Sequence, residues 1–229
     1  MTLRFSTTAQ AAELHGIKAL IYSRSGVGKT WLARTAPAPI VLSAESGILS
    51  LRDVGIPMIH IASVNDLTEA HQWLEKSAEA RQFKTVYIDS LTEIGEVILA
   101  NAKALVKDPR QAYGELIEKT MATIKAYRDL SGKNVVMTAK QEPMKDEMTG
   151  VIQYGPSMPG AKLGPQLPYL FDEVFRLGLA KTKDGAEYRF FQTAPDLQYE
   201  AKDRSGALDA VEKPDLTYVF DKIMKRSAI

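Results

Sequence analysis

The spacing of apolar positions predicts the elements of this chain. In the first 140 residues, short continuous apolar runs alternate with longer segments in which apolar residues recur every three or four positions. The short runs predict strands at residues 18–22, 40–43, 58–61, 85–88 and 134–138. The longer segments predict helices at residues 29–35, 66–80, 91–106 and 111–130. Strands separated by helices favour right-handed crossovers, so we expect an α/β fold with a mostly parallel sheet flanked by helices.

The pattern changes after residue 141. Residues 142–168 contain four glycines and five of the eleven prolines, and so long a connection is usually functional or disordered. Within it, residues 144–154 predict a small hairpin that turns near Thr149 and Gly150. Farther on, residues 172–180 and 187–193 flank a turn at 183–185 and predict an antiparallel hairpin. A closing helix is predicted from Pro214 to residue 225.

Composition narrows the class of protein. The 229 residues correspond to about 1.5 average domains, so we expect a single domain over residues 1–229. A net charge of +1 argues against a polycation that coats nucleic acid, and the absence of cysteine excludes disulfides and thiolate sites. The first ten residues lack a secretory signal, and no apolar run has the roughly 18 residues of a membrane span. We expect a cytoplasmic protein without a membrane partner.

The segment Ser23-Arg24-Ser25-Gly26-Val27-Gly28-Lys29-Thr30 follows a predicted strand and opens a predicted helix. It matches the phosphate-binding loop G-x-x-x-x-G-K-[ST], called Walker A, except that serine replaces the first glycine. The glycines let backbone N–H groups surround phosphate oxygens, the lysine neutralises their charge, and the threonine hydroxyl ligates Mg²⁺. The residues assigned to nucleotide binding are Ser25, Gly26, Val27, Gly28, Lys29, Thr30 and Trp31.

Asp89 ends the predicted buried strand 85–88 and is a candidate Walker B residue, which together with Thr30 would hold the Mg²⁺ of ATP. It also precedes a helix, where an N-cap is a common role for aspartate. Hydrolysis needs a further group that orients or deprotonates water. Glu45, just after a strand, and Glu93, one turn into a helix, both qualify, and the strand-end position favours Glu45.

These motifs resemble those of the RecA-like ATPases, and most closely the RecA-like single-strand annealing proteins that phages encode for recombination. Val41-Leu42-Ser43-Ala44-Glu45 resembles the strand whose terminal glutamate is the catalytic base, and Ile88-Asp89-Ser90 resembles the Walker B strand. The run Val135-Val136-Met137-Thr138-Ala139-Lys140-Gln141 resembles the strand that ends in a γ-phosphate-sensing glutamine. The resemblance therefore implies a RecA-like core with C-terminal antiparallel strands, in which Glu45 is the base and Gln141 the sensor.

The segment from Ala201 to Gly206 resembles the K-x-R-x-G segment of RecA-like ring helicases. There, the lysine and arginine reach the ATP of the neighbouring subunit, which implies roles in catalysis for Lys202 and Arg204 and a head-to-tail homo-oligomer, either ring or filament. Two exposed charges on a loop are the alternative interpretation.

The resemblance also implies binding of single-stranded DNA and DNA annealing, with residues 142–168 as the candidate DNA-binding element and a single-strand-binding protein as a further partner. The residues themselves give a weaker signal. Residues 142–168 have one more acid than base, and Tyr154 and the adjoining Tyr169 are candidate stacking residues. The stretch 101–140 has eight basic residues against four acidic ones: Lys103, Lys107, Arg110, Lys119, Lys125, Arg128, Lys133 and Lys140. These form either a phosphate track or the solvated face of a helix.

Three functions stay open at this point. The first is a DNA-stimulated, slowly hydrolysing ATPase of phage recombination that acts in the host cytoplasm. The second is an ATPase that acts on a protein, such as a helicase loader or a motor subunit. The third is a nucleotide-gated scaffold, in which Ser23 marks the loss of turnover.

Overall fold

The computed structural model describes Thr7, Gln10 and residues 14–45, 47–145 and 150–226. In these residues, the strands are β1 (Lys18–Ser23), β2 (Pro39–Ser43), β3 (Met58–His60), β4 (Thr85–Asp89), β5 (Asn134–Lys145), β6 (Ile152–Pro156), β7 (Glu173–Lys181), β8 (Glu187–Gln192), β9 (Lys202–Asp203) and β10 (Val211–Glu212). The helices are α1 (Lys29–Leu32), α2 (Val64–Lys76), α3 (Leu91–Leu105), α4 (Pro109–Arg128) and α5 (Leu216–Arg226). Single turns of 3₁₀ helix lie at Ala33–Thr35, Ile48–Leu51 and Glu79–Gln82, and a longer one at Gly164–Leu170.

The strands form a mixed sheet in the order β10-β8-β7-β1-β5-β4-β2-β3. All neighbours from β7 to β3 are parallel, whereas β8 and β10 are antiparallel to their neighbours and β9 pairs antiparallel with β7. This architecture confirms the predicted α/β class, with its mostly parallel sheet and antiparallel C-terminal strands. Because β1, β5, β4 and β2 are parallel, their carboxyl ends meet at one edge, here called the carboxyl edge.

Helices cover both faces of the sheet. On β1, Leu20 and Tyr22 join the core formed with α2, α3 and α4, while Ala19 and Ile21 join the core formed with α1 and α5. This division follows from the alternation of side chains along a strand. All six residues of β1 are buried, so the strand that leads into the candidate phosphate-binding loop is fixed from both faces.

Two predicted helix boundaries were wrong because of capping. The helix predicted at 66–80 begins at Val64, since Ser63 and Asp66 form a reciprocal capping box, and it ends at Lys76. The closing helix begins at Leu216 rather than at Pro214. There, the Asp215 carboxylate accepts a hydrogen bond from the Tyr218 backbone N–H at 3.1 Å, so that the proline lies outside the helix.

Residues 142–168, predicted as a long connection that contains a small hairpin, are more ordered than that prediction. β5 does not end at residue 138 but continues to Lys145, and its last five residues pair antiparallel with β6. The predicted hairpin at 144–154 is thereby confirmed, although the predicted turn residue Thr149 lies outside the described residues. The Gly164–Leu170 helix orders the remainder, and it buries Leu167 and Pro168. The second predicted hairpin, β7 with β8, is confirmed as well.

Candidate nucleotide-binding site

The segment from Ser23 to Thr30 connects β1 to α1 at the carboxyl edge, as the sequence predicts. Gly26 has a φ of 79° and Gly28 a φ of 110°, both in the region that only glycine adopts without strain. A Cβ atom at Gly26 would meet nothing within 4 Å, so the loop has open space on this side. Ser23 is fully buried at the end of β1, where its Oγ donates to the Arg24 carbonyl at 2.9 Å. Serine is therefore accommodated at the position where the motif has glycine.

The Lys29 ammonium group lies over the beginning of this loop. Its Nζ donates to the Ser23 carbonyl at 3.2 Å and lies 3.4 Å from the Ser23 Oγ. Burial lowers the pKa of Lys29 from its ordinary value, and the negative charges of Asp89 and Glu45 partly oppose that shift. The lysine is thus a partly desolvated cation with two carboxylates nearby, which is a suitable environment for binding phosphate.

Asp89 connects three elements of the site. Its carboxylate is 1% exposed, and Oδ2 accepts a hydrogen bond from the Thr30 Oγ1 at 2.6 Å. On its other side, Oδ1 accepts a hydrogen bond from the Thr138 Oγ1, also at 2.6 Å. The structure therefore brings together the two residues predicted to hold Mg²⁺, and it adds a positioning residue on β5 that the sequence analysis missed.

Removing the Thr138 hydroxyl should weaken Mg²⁺-dependent turnover without unfolding the protein. Thr138→Val keeps the side-chain shape and deletes one donor to Asp89, and losses of this kind typically cost about 10- to 100-fold in metal affinity or activity. The measurement is ATP turnover as a function of Mg²⁺ concentration, with thermal unfolding as the folding control. Thr120→Val is a matched control, because Thr120 is equally buried and its Oγ1 has no hydrogen-bond partner among the described residues. Equal loss in both variants would contradict the role given to Thr138.

Tyr87 is a second residue that the sequence analysis missed. Its hydroxyl donates to the Lys29 carbonyl at 2.6 Å, which anchors the start of α1 to β4. The ring is fully buried, and this burial raises the pKa of Tyr87 well above its ordinary value, so the hydroxyl remains a donor. A signal was present in the sequence: Tyr87 lies two positions before Asp89, and therefore on the same face of its strand.

The two candidate general bases have different partners. Glu45 accepts a hydrogen bond at Oε1 from the Ser90 Oγ at 2.7 Å, directly beside Asp89. Glu93 forms an ion pair with Lys140, and this hydrogen bond raises the pKa of Lys140. Glu45 is thus bonded to a neutral hydroxyl, whereas Glu93 is engaged by a cation. This difference favours Glu45 as the group that takes a proton from water.

The remaining residues predicted for catalysis lie at different edges of the sheet. Gln141 is half-buried at the carboxyl edge, because the preceding residue Lys140 is the register partner of Ser23. Lys202 donates to the Pro168 carbonyl, and Arg204 pairs with Asp172 at 2.7 Å. Lys202 and Arg204 flank the pair Glu173–Asp203 at the amino end of β7, and hence at the edge opposite the loop. Within one chain they are not brought to the site.

The candidate DNA-binding residues have mixed positions. Neither interpretation of the basic stretch holds for Lys133, because it is 7% exposed and its ammonium group donates to the carbonyls of Ala80 and Phe83, both at 2.7 Å. Others of that stretch remain exposed: Lys103, Lys107, Arg110 and Lys125. Tyr169 is 82% exposed, whereas Tyr154 is half-buried and stacks on Tyr199.

A loop bent by glycines between a strand and a helix, with a lysine above it and a strand-end aspartate bonded to its threonine, is the site of a P-loop ATPase. In this chain the site lies at the carboxyl edge of a mostly parallel α/β sheet, and it is a site for ATP. The family agrees with this class: the sequence model of the AAA domain family matches residues 15–205, and the chain belongs to that family.

Other comparisons add little to this assignment. No curated protein sequence matches the chain. Among solved structures, the chain is similar to the KaiC-like protein PH0186 from the hyperthermophilic archaeon Pyrococcus horikoshii OT3, at 15% identity and a TM-score of 0.43, over 77% of this chain and 77% of that chain.

The donor set fits Mg²⁺ held together with phosphate rather than a metal held by protein alone. No group of three or more His, Cys, Asp or Glu residues that could hold a metal occurs in the part of the chain that the structure describes. Mg²⁺ usually takes one or two protein ligands and completes its shell with phosphates and water, and Thr30 with Asp89 meets that need. Within the described ranges, no helix is both long and apolar enough to cross a membrane.

Proposed function

We propose that the protein hydrolyses Mg·ATP and couples this reaction to single-stranded DNA, as a RecA-like recombination protein of a phage that acts in the host cytoplasm. The observation that carries the hydrolytic part is the position of Asp89, which accepts hydrogen bonds from Thr30 and Thr138 directly below the loop. Bound Mg²⁺ would supply charge neutralisation at the phosphates.

In this proposal, each residue of the site has one task. Lys29 binds the phosphate oxygens, because its ammonium group lies over the loop. Thr30 and Asp89 hold the metal. Glu45 accepts a proton from the attacking water, with its carboxylate oriented by Ser90. Gln141 contacts the terminal phosphate from β5.

The proposal also includes a head-to-tail assembly in which Lys202 and Arg204 complete the site of the next subunit. Arg204 supports this role by its position, because it lies opposite the loop of its own chain and is substantially exposed. An arginine supplied from a neighbour stabilises charge in the transition state of phosphoryl transfer, and is worth about 10³- to 10⁵-fold in rate.

Mixing two inactive variants tests this assembly. Arg204→Ala lacks the donated arginine and Asp89→Asn lacks the metal ligand, so a mixture should contain some sites with both groups intact and should regain turnover. The measurement is ATP turnover of the mixture against that of each variant alone. Arg81→Ala, which removes an exposed arginine from the Glu79–Gln82 helix, should behave as wild type. A mixture no more active than its components would overturn the assembly.

The DNA-directed part is supported by the hairpin of β5 and β6. β5 passes from the sheet at Lys140 directly into this hairpin, so one strand links the site to a projecting element. The hairpin carries Lys145, which is exposed. Exposed lysines at Lys103, Lys107 and Lys125 add positive charge that suits a phosphate backbone.

Single-stranded DNA should therefore stimulate ATP turnover, and the stimulation should decrease with salt because phosphate contacts release counterions. The experiment measures turnover with and without an oligonucleotide at low and moderate salt. Lys145→Ala should lose part of the stimulation, whereas Lys183→Ala, in the β7–β8 turn, should retain it. Turnover that ignores DNA at both salt concentrations would overturn the DNA-directed part and leave the ATPase.

The second candidate is an ATPase that acts on a protein partner. It is favoured by Val151 and Ile152, which are 47% and 49% exposed on the same hairpin, since adjacent exposed apolar side chains suit contact with protein. The measurement of turnover with and without DNA separates the DNA-directed ATPase from the protein-directed one. For the DNA-directed ATPase, a single-strand-binding protein remains a proposed partner.

A further inference from the structure

Arg189 reaches the phosphate-binding loop from a distant part of the sequence. It lies on β8, and its Nε donates to the Val27 carbonyl at 2.6 Å. A Cβ atom at Gly28 would lie only 3.2 Å from the same Nε, so the guanidinium group is packed directly against the loop. The Nη1 and Nη2 atoms of Arg189 donate no hydrogen bond to any residue that the structure describes, which leaves most of its donors available.

Trp31 is the neighbour of Arg189 on this side of the loop. The Arg189 Cζ lies 5.9 Å from the centre of a Trp31 ring, within the range of a cation–π contact. The ring is half-buried and follows Thr30 directly in α1. An aromatic ring and a planar guanidinium group therefore lie together beside the loop, and both stack well on a flat base.

The order of strands in the sheet indicates which end of a bound nucleotide would contact Arg189 and Trp31. Asp89 is on β4, to one side of β1, whereas Arg189 is on β8, to the other side. The metal and the terminal phosphate belong on the Asp89 side, because Thr30 and Asp89 bond there. A nucleoside triphosphate carries its base at the end away from its terminal phosphate, so the base extends toward β7 and β8.

We propose that Arg189 and Trp31 bind the nucleoside end of ATP, where the guanidinium group and the indole contact the purine base by stacking. This inference rests on the proposed function, since it requires a nucleotide in the loop. It assigns the C-terminal hairpin of β7 and β8 a part in ligand selection, and it explains why an exposed arginine of β8 lies against Gly28.

The test compares two ligands that share phosphates and differ in the nucleoside. Binding of ATP and of inorganic tripolyphosphate, each with Mg²⁺, is measured by titration calorimetry on the full chain. Arg189→Ala should bind ATP about 5- to 150-fold more weakly, in line with the value of one base stack, and should bind tripolyphosphate as wild type does. Arg189→Lys keeps the charge but loses the planar group, so its affinity for ATP should lie between those of wild type and Arg189→Ala.

Arg34→Ala is the matched control. Arg34 also lies near the Trp31 ring, at 5.2 Å, but it pairs with Asp53 rather than with the loop. It should leave the binding of both ligands unchanged. In a Trp73→Phe background, Trp31 is the remaining tryptophan of the chain, and its fluorescence should change with ATP and not with tripolyphosphate.

Two results would overturn the nucleoside site while leaving the proposed function intact. One is an equal loss of ATP and tripolyphosphate binding in Arg189→Ala, which would make Arg189 a phosphate or loop residue. The other is unchanged ATP binding in that variant. A wild-type protein that binds neither ligand would overturn the proposed function itself, and the nucleoside site with it.

Discussion

Lys29→Ala should lose ATP binding by about 30- to 5,000-fold. The substitution removes the cation that opposes the phosphate charge, and truncating one member of a desolvated charged pair costs about 2–5 kcal/mol. The effect should be large because Lys29 is half-buried and partly desolvated, so that water screens its charge less than that of an exposed lysine. The measurement is equilibrium binding of ATP with Mg²⁺, followed by turnover.

Two controls separate a binding defect from a folding defect. Lys84→Ala removes an exposed lysine next to β4 and should bind ATP as wild type does. The thermal midpoint of Lys29→Ala should not fall, because a desolvated ammonium group gains little from its three contacts with the loop. Full ATP affinity in Lys29→Ala would refute the placement of the phosphates in this loop.

Glu45→Gln should abolish most turnover and leave ATP binding in place. Glutamine keeps the size of the side chain and an oxygen that accepts from Ser90, but it cannot take a proton from water. General base catalysis contributes about 10²- to 10⁴-fold, so the turnover number should fall by that factor. Single-turnover hydrolysis and equilibrium binding of ATP, measured on the same preparation, provide the two values.

Glu93→Gln is the companion variant for that experiment. Because Glu93 is paired with Lys140, its loss should reduce turnover much less than the loss of Glu45. A larger loss of turnover in Glu93→Gln than in Glu45→Gln would identify Glu93 as the base. A wild-type protein that binds ATP without any turnover would instead identify a nucleotide-gated scaffold, the third function left open by the sequence.

The parts of the site that are local in sequence were predictable. The Gly26–Gly28 bend and Lys29 lie within one short motif, and Asp89 was found because the carboxyl ends of parallel strands share an edge. The class of fold followed from the alternation of apolar runs and amphipathic segments. The apolar periodicity that predicts each strand and helix acts over fewer than about twenty residues.

The parts that depend on distant pairing were not predictable. Arg189 lies 162 positions from Val27, the residue whose carbonyl it contacts, and Tyr87 lies 58 positions from Lys29. Arg189 carries no motif, and the strand face that Tyr87 shares with Asp89 does not reveal its partner, because both contacts depend on the sheet order that places β8 and β4 on opposite sides of β1. The prediction for the basic stretch was wrong at Lys133 for a similar reason. Its buried ammonium group donates to two carbonyls of a segment that is distant in sequence.

β5 runs without interruption from the sheet into the hairpin that it forms with β6. A β-strand cannot be compressed along its axis, and at about 3.3 Å per residue the five residues beyond Lys140 carry the hairpin roughly 16 Å from the loop. A small rotation of β5 at Lys140, the residue that pairs with Ser23, becomes a larger displacement at the tip of the hairpin. In the proposed function, a movement at the carboxyl edge would therefore reach the partner-binding hairpin along one continuous strand.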